Sequence, residues 1–317
     1  MSWRVSFVDV VHPVLQQRLE AAGFLCVDHT QLTKEQLVPA LEHVHGIVIR
    51  SRFTMNAGIL DHAPHLRFIA RSGAGMENID VPYCEARHIA LFNAPEGNRN
   101  AVAEHALGML LGLMNNLGPA DREVRSGQWN REENRGWELD GKTVGIIGFG
   151  NNGSAFARKL RGFDVRVLAY DKYLSGFGDQ HVTECSLQQL MHEADVVSFH
   201  VPQTPETIGM LNHDFIRNME KPFWVLNLSR GRVVDTAALV HGLETGKVRG
   251  AGLDVLEYES TSFENWLNPE TAPGPLKYLL KSNQVMLSPH VGGWTHESYF
   301  QLSNVLADKV LAWFHGL

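Results

Sequence analysis

Three short stretches in the second half of the chain combine residue types that can move a proton and grip a carboxylate. "WVLNLSRG" ends in Arg230, "GLDVLEYES" holds Asp254, Glu257 and Glu259, and "LSPHVGGW" holds His290. Each contains or follows an apolar run that reads as a strand, and open α/β sheets place ligands beyond the carboxyl ends of their strands. An arginine fixed by a buried strand can offer its planar fork to a carboxylate bidentately. The alternative is a surface arginine that steadies a loop. A histidine between Pro289 and a Val-Gly-Gly turn has little freedom, which suits a general base. With 16 histidines in the chain, one that merely satisfies its own loop is the competing reading. A carboxylate paired with His290 would raise its pKa and fix its tautomer. Physics alone does not choose among Asp254, Glu257 and Glu259.

A second kind of chemistry is written in "TVGIIGFGNNGSAFARKLRGFDVRVLAYD". An apolar strand runs into Gly148-x-Gly150-x-x-Gly153, and a helical pattern begins at once. The first glycine permits a tight turn, the second lets a pyrophosphate approach the backbone, and the third lets helix and strand pack closely. The helix start then offers free N–H groups and the positive end of its dipole. The next strand ends at Asp171, 21 residues beyond Gly150. A carboxylate there accepts hydrogen bonds from a ribose 2′-hydroxyl and repels a 2′-phosphate. NAD is therefore favoured over NADP, although Lys172 follows directly. Asn152 stands where an apolar residue is commoner, which bears on local packing more than on phosphate contact.

The elements that must carry these groups are legible from periodicity. Short β-branched runs alternate with helical patterns along the chain, which argues for parallel sheets covered on both faces. "KEQLVPALEHV" reads as helix despite Pro39. "IALFNAPEGN" reads as a strand and then a loop that opens a long helix, apolar on more than one face, running to about Arg125. Such a helix is buried between layers or between subunits. "SGQWNREENRGWELDG" reads as a polar excursion. The final "HESYFQLSNVLADKVLAWFHGL" is amphipathic.

The chain has 317 residues, 44% of them hydrophobic and 20% charged, which suits a soluble protein of two domains. A net charge of −7 argues against a nucleic-acid face. Cys26, Cys84 and Cys185 are odd in number and lack metal-like spacing, so neither a disulfide framework nor a metal site is expected. The start is too polar for a signal peptide, and no run reaches about 18 apolar residues, so a cytoplasmic protein without a membrane span is expected.

Taken in order, Gly148-x-Gly150-x-x-Gly153, "VVSFHVPQTPET", "NLSRGRVVD", "GAGLDVLEYE" and "SPHVGGWT" resemble the D-isomer-specific 2-hydroxyacid dehydrogenases, over nearly the whole chain. That resemblance implies two doubly wound parallel-sheet α/β domains. A flavodoxin-like substrate domain would comprise residues 1–98 and 292–317, and a Rossmann NAD-binding domain residues 99–291. It implies Arg230 on the substrate carboxylate, His290 as acid/base and Glu259 as its partner. The cofactor would lie along Gly148, Gly150, Asn151, Asn152 and Gly153, with Asp171 at the ribose. His200, Pro202, Thr207, Leu228, Ser229, Asp254, Gly292 and Gly293 would line the rest. Ser260 replaces the family's frequent proline after the glutamate. Members are usually dimers through the nucleotide domain, with the active site in a cleft that closes over the substrate.

The fragment "GIVIRSRFT" places Arg50 and Arg52 around Ser51 at the end of a strand. Within the family, "RSR", "ARSGAG", "NAPEGN" and "WNR" most resemble 3-phosphoglycerate dehydrogenases. The likeness implies a phosphate held by Arg50, Ser51, Arg71, Ser72, Gly73 and Asn98, with Arg131, and Arg52 as a further candidate, from a neighbouring subunit. A dianion merits several charge-assisted hydrogen bonds. Related glyoxylate or hydroxypyruvate reductases carry similar strand ends, so a smaller hydroxy acid is the alternative. A nucleotide-sensing co-regulator without catalysis is a third reading, which the presence of Arg230, Glu259 and His290 disfavours. The regulatory domain carried by many phosphoglycerate dehydrogenases is not expected after the last helix.

Overall fold

A computed structural model describes residues 3–259 and 270–316, and Ser260 lies outside them. The described residues form two compact units, 3–99 with 294–316 and 100–259 with 270–293. In the first, β1 (Arg4–Phe7), β2 (Leu25–Asp28), β3 (Gly46–Ile49), β4 (Phe68–Arg71) and β5 (Ala90–Asn93) alternate with α1 (Val14–Ala21), α2 (Lys34–Ala40), α3 (Ala57–Leu60) and α4 (Val81–Ala86). All strand pairs are parallel, in the order β2-β1-β3-β4-β5. This is a doubly wound arrangement. Val5, Phe7, Val48 and Phe68 face one core, and Ile47, Ile49 and Ile69 the other. With both faces buried, the strands read as unbroken apolar runs rather than alternating ones.

Three local findings refine the sequence reading. Helix α2 forms with a Thr33–Gln36 capping box but stops at Ala40, because Pro39 has no N–H for the carbonyl one turn back. The loop expected at "NAPEGN" is absent: α5 (Pro95–Met114) starts one residue after β5. A proline is at home in the first helical turn, where its missing N–H would have no partner anyway. The long helix is also shorter than expected, since it breaks at Asn116, whose φ is 52°. Asparagine tolerates the left-handed region, and Pro119 could not follow in an unbroken helix. The chain resumes as α6 (Leu117–Arg125).

The second unit contains β6 (Thr143–Ile147), α7 (Asn151–Lys159), β7 (Arg166–Tyr170), β8 (Val182–Glu184), α8 (Leu187–Glu193), β9 (Val196–Phe199), α9 (His213–Asn218), β10 (Phe223–Asn227), α10 (Thr236–Glu244), β11 (Val248–Leu253), α11 (Gly274–Lys281) and β12 (Val285–Leu287). Its seven strands are parallel, in the order β12-β11-β10-β9-β6-β7-β8. Strand order reverses at β6, so the crevice beyond its carboxyl end is the natural ligand position. Val144, Ile146 and Leu226 pack with Ala106 and Leu110 of α5 on one face, and Val197, Phe199 and Val225 pack with α9 and α10 on the other.

The last helix, α12 (His296–His315), belongs to the first unit, where Leu302, Leu306, Ala307 and Val310 complete the core over β1 and β4. It seats against the first turns of α5. Lys309 Nζ donates to Glu96 at 2.9 Å, and a Cβ on Gly97 would lie 2.7 Å from Leu302 Cα. Among the described residues no helix is long and apolar enough to cross a membrane. The substitution Gly97→Ala must push the two helices apart and is expected to cost about 1–3 kcal/mol, read as a lower urea midpoint.

Candidate active site

The glycine loop is built by close approach. Gly148 has φ +90°, and a Cβ there would lie 2.7 Å from the His200 carbonyl oxygen. A Cβ on Gly153 would lie 2.0 Å from the Gly148 carbonyl oxygen, so α7 can sit on β6 only without that carbon. A Cβ on Gly150, by contrast, would meet nothing within 4 Å. That open position, at the start of a nine-residue helix, is where an anion can approach backbone N–H groups. Asn151 and Asn152 form the first turn, and Asn152 Oδ1 is buried with no partner among the described residues.

Asp171 closes the far side of the loop. Its Oδ2 accepts from Phe149 N at 2.7 Å, and its Oδ1 from Tyr173 N at 2.9 Å and Leu174 N at 3.0 Å. Burial pushes this carboxyl up, but the three N–H bonds outweigh it and hold it below the usual aspartate range. Lone pairs remain for a ribose hydroxyl. The ammonium of Lys172 is matched by Glu206 at 2.6 Å. Open space at Gly150, helix N–H groups and an ionised Asp171 together fit a dinucleotide.

Other cofactor candidates shape the surrounding loops. Thr207 Oγ1 donates to the Pro202 carbonyl at 2.6 Å and accepts from Thr204 N at 2.8 Å, which fixes the loop after β9. Ser229 is buried, and its hydroxyl donates to Asn227 Oδ1 at 2.8 Å; Leu228 beside it is also buried. His200 is half-buried, with its Nδ1 enclosed and Nε2 2.8 Å from Ser198 Oγ. Burial pulls its pKa down to about 4, so it is neutral at ordinary pH.

The catalytic candidates all lie in the second unit. The three acidic residues that residue type and spacing could not separate, and of which the resemblance favoured Glu259, have different partners. Asp254 is buried and holds the next turn: Oδ1 accepts from Ser288 Oγ at 2.5 Å and Val291 N at 2.9 Å, and Oδ2 from Gly292 N at 2.8 Å. Glu257 accepts from Thr236 N at the start of α10, at 3.0 Å. Glu259 faces the histidine, with Oε2 3.2 Å from His290 Nδ1. His290 itself has φ 55°, a strained conformation for a residue with a side chain. Its N–H donates to the Asp254 carbonyl at 2.8 Å, so Asp254 holds both ends of this turn. A Cβ on Gly292 would lie 2.8 Å from Asp254 Oδ2, and Gly293 completes the turn. His105 Nε2 lies 2.9 Å from Ser288 Oγ and extends the network.

Arg230 follows β10. Its carbonyl accepts from Asn227 Nδ2 at 2.9 Å, and its Nη1 donates to the Ser229 carbonyl at 2.7 Å. A Cβ on the next residue, Gly231, would lie 1.9 Å from the Leu256 carbonyl oxygen, so this loop lies flat on the one that carries Glu257 and Glu259. Sequence reasoning missed Asn227, Ser288 and His105. For Asn227 and Ser288 the signal is only their position at strand ends, which many polar residues share, and His105 is one polar residue inside the apolar helix α5.

In the first unit the strand ends of β1, β3 and β4 meet. Asp9 Oδ2 accepts from the backbone N–H of Arg50 at 2.6 Å, Ser51 at 3.0 Å and Arg52 at 3.2 Å. The Arg50 carbonyl accepts from Arg71 Nε and Asn78 Nδ2, each at 3.1 Å. Arg71 also lies over Gly73, where a Cβ would sit 2.4 Å from its Nη1. Ser72 is buried, with its N–H on the Ile49 carbonyl at 2.8 Å.

The two arginines of "RSR" differ in role. Arg52 Nη1 donates to the carbonyls of Val8 and Thr30, which ties loops of its own chain. The Arg50 guanidinium stacks 4.0 Å over the ring of Trp294. Asn98 lies in α5 rather than in a loop, and its Oδ1 is buried without a partner among the described residues. Arg131 is exposed between α6 and β6. The three cysteines are free, and burial pushes Cys26 up to about 12 and Cys84 and Cys185 to about 11, so none is a ready nucleophile.

Residues 107–292 match the family model of the D-isomer specific 2-hydroxyacid dehydrogenase NAD binding domain. The chain is 34% identical over 290 residues to D-3-phosphoglycerate dehydrogenase of Archaeoglobus fulgidus, covering 91% of this chain and 53% of that protein. It is 32% identical over 298 residues to glyoxylate reductase of Pyrococcus furiosus, covering 91% and 85%. The crystal structure of D-lactate dehydrogenase from Aquifex aeolicus, complexed with NAD and lactic acid, superposes with a TM-score of 0.82 at 27% identity over 99% of this chain and 96% of that one. The chain spans about half the length of the D-3-phosphoglycerate dehydrogenases it matches.

His200 gives the site a pH signature. Its folded pKa, about 4, lies below its ordinary value of 6.5, so in that window the unfolded chain binds a proton that the folded chain does not. Stability should therefore fall as pH drops from about 6.5 to about 4, by an amount on the order of 3 kcal/mol. Urea unfolding near pH 7 and near pH 5 should show about 2 kcal/mol of this loss, and His200→Asn should remove this residue's part of it.

Proposed function

Because this chain belongs to the D-isomer specific 2-hydroxyacid dehydrogenase family and carries its NAD-binding domain, we propose that it transfers hydride between C2 of a D-2-hydroxy acid and nicotinamide, with 3-phosphoglycerate and 3-phosphohydroxypyruvate as the substrate pair. That chemistry would be an entry step into serine synthesis. The second unit is the NAD domain in this reading, and the first is the substrate domain. The reaction is carried by one observation, the His290–Glu259 pair 3.2 Å apart. With Nδ1 directed at Glu259, Nε2 is the nitrogen that takes the proton from the C2 hydroxyl, and in reverse it protonates the ketone oxygen. Glu259 keeps the Nδ1 proton in place and stabilises the imidazolium. Arg230 grips the carboxylate and so aims C2, which is chiefly a positioning effect.

NAD, when bound along Gly148, Gly150 and Gly153, supplies the hydride acceptor. The anionic Asp171 and the ion-paired Lys172 favour it over NADP. For the substrate's far end, Arg50 is the group that favours a phosphate over a neutral substituent. Its guanidinium is largely withdrawn from water, which pulls its pKa down, and Asp9, the nearby carboxylate, already serves three backbone N–H groups through Oδ2. Exposed Leu117, Val124, Trp129 and Trp137 in the second unit support pairing of two copies.

The test is NADH consumption by the purified chain with 3-phosphohydroxypyruvate and with hydroxypyruvate. The expected outcome is a kcat/KM at least about tenfold higher for the phosphorylated acid, a preference that Arg50→Ala erases. His290→Asn should lower both rates by about 10²–10⁴-fold. Equal use of both acids would leave a glyoxylate or hydroxypyruvate reductase, the reading that the Pyrococcus relative's name favours. NADH binding without turnover on any 2-keto acid would point to a nucleotide sensor.

A further inference from the structure

Trp294 lies one residue before the N-cap of α12, and two motifs of that helix start hold it in place. Thr295 and Ser298 form a reciprocal capping box: Ser298 N donates to Thr295 Oγ1 at 3.0 Å, and Thr295 N to Ser298 Oγ at 2.8 Å. Trp294 in turn packs edge-on against Tyr299, with ring centroids 5.5 Å apart and planes at 69°. Positions N′ and N4 joined in this way form a hydrophobic staple, which sets the angle at which the chain enters a helix. The indole is therefore aimed by α12 rather than by its own loop.

It is aimed at Arg50. The guanidinium carbon lies 4.0 Å from the ring centroid, closer than any other cation–π contact among the described residues. Arg50 is pinned from the other side too, its N–H on Asp9 and its carbonyl under Arg71 and Asn78. Its guanidinium makes no ion pair among the described residues, although such a group pairs readily with a carboxylate. A guanidinium stacked on an indole loses water from one face and keeps its donors in the ring-parallel plane. Those in-plane N–H groups are the ones that a planar or tetrahedral anion binds in pairs.

We propose that Trp294 is a positioning residue for substrate specificity: by stacking on Arg50 it orients that guanidinium to receive a second anionic group, phosphate or carboxylate, on a 2-hydroxy acid. The inference rests on the reading in which Arg50 meets the far end of the substrate, and it adds the residue that determines how well Arg50 does so. An aliphatic side chain in place of the ring would fill part of the space but provide neither a π face nor a planar support.

The experiment compares kcat and KM for 3-phosphohydroxypyruvate and hydroxypyruvate in the wild type, Trp294→Leu, Trp294→Phe and Arg50→Ala. With Trp294→Leu the ratio of the two kcat/KM values should fall about tenfold, through KM for the phosphorylated acid, with hydroxypyruvate unchanged. Trp294→Phe, which restores a ring, should keep the ratio within about threefold. In an Arg50→Ala background Trp294→Leu should have no further effect on the ratio. If Trp294→Leu does not fold, Trp294→Met supplies the same comparison with a flexible apolar chain. An unchanged ratio in Trp294→Leu while Arg50→Ala abolishes the preference overturns the inference and leaves the reading of Arg50 standing. No change in Arg50→Ala overturns both. An equal loss on the two substrates in Trp294→Leu and Trp294→Phe would mean that Trp294 only caps α12, and would also overturn it.

Discussion

A carboxylate placed just past the end of a parallel strand, collecting N–H groups from the loop beside it, is the interaction on which both halves of this protein depend. A parallel sheet satisfies its own backbone, but each loop that leaves its carboxyl edge has donors with no ladder partner. Asp254 takes Val291 N, Gly292 N and the Ser288 hydroxyl. Asp171 takes Phe149, Tyr173 and Leu174, and Asp9 takes Arg50, Ser51 and Arg52. An ionised acceptor makes each of these bonds stronger than a neutral one would. The loops are thereby set in shape before any ligand arrives.

That preorganisation explains how a histidine can be held in a conformation it would otherwise avoid. His290 has φ 55° because the residues on both sides are fastened to Asp254, by its carbonyl and by its carboxylate. The local strain, of order 1–3 kcal/mol, is offset by buried charge-assisted bonds. In return the imidazole Nδ1 lies 3.2 Å from Glu259. One carboxylate shapes the loop and another faces the imidazole.

Glycines perform the complementary task of allowing contact. Gly153 on Gly148, Gly231 on Leu256 and Gly97 on Leu302 are all places where backbone touches backbone and a methyl group would part them. Within the dinucleotide loop, Gly148 and Gly153 are closed in this way while Gly150, just before α7, has open space in that direction. A relative named for phosphoglycerate and another named for glyoxylate are about equally similar to this chain. Overall likeness therefore says little about the substrate's far end.

Alternating apolar runs and glycine spacing were enough to read two parallel α/β sheets and the dinucleotide loop, because periodicity and φ requirements are local properties. Arg230, Glu259 and His290 were named from ordered motifs through the family resemblance. Spacing and residue type left Glu259, Asp254 and Glu257 unseparated, and the family resemblance singled out Glu259. The tertiary structure adds the physical difference, since Glu259 faces the imidazole while Asp254 and Glu257 take backbone N–H groups. Tertiary structure also distinguished Arg50 from Arg52, two residues apart and alike in sequence, by giving one an aromatic platform from the segment leading into α12, some 240 residues away, and the other two backbone carbonyls. The break at Asn116 and the helical placement of Asn98 were missed for the same reason. Local propensity leaves such choices nearly even, and contacts between distant segments decide them.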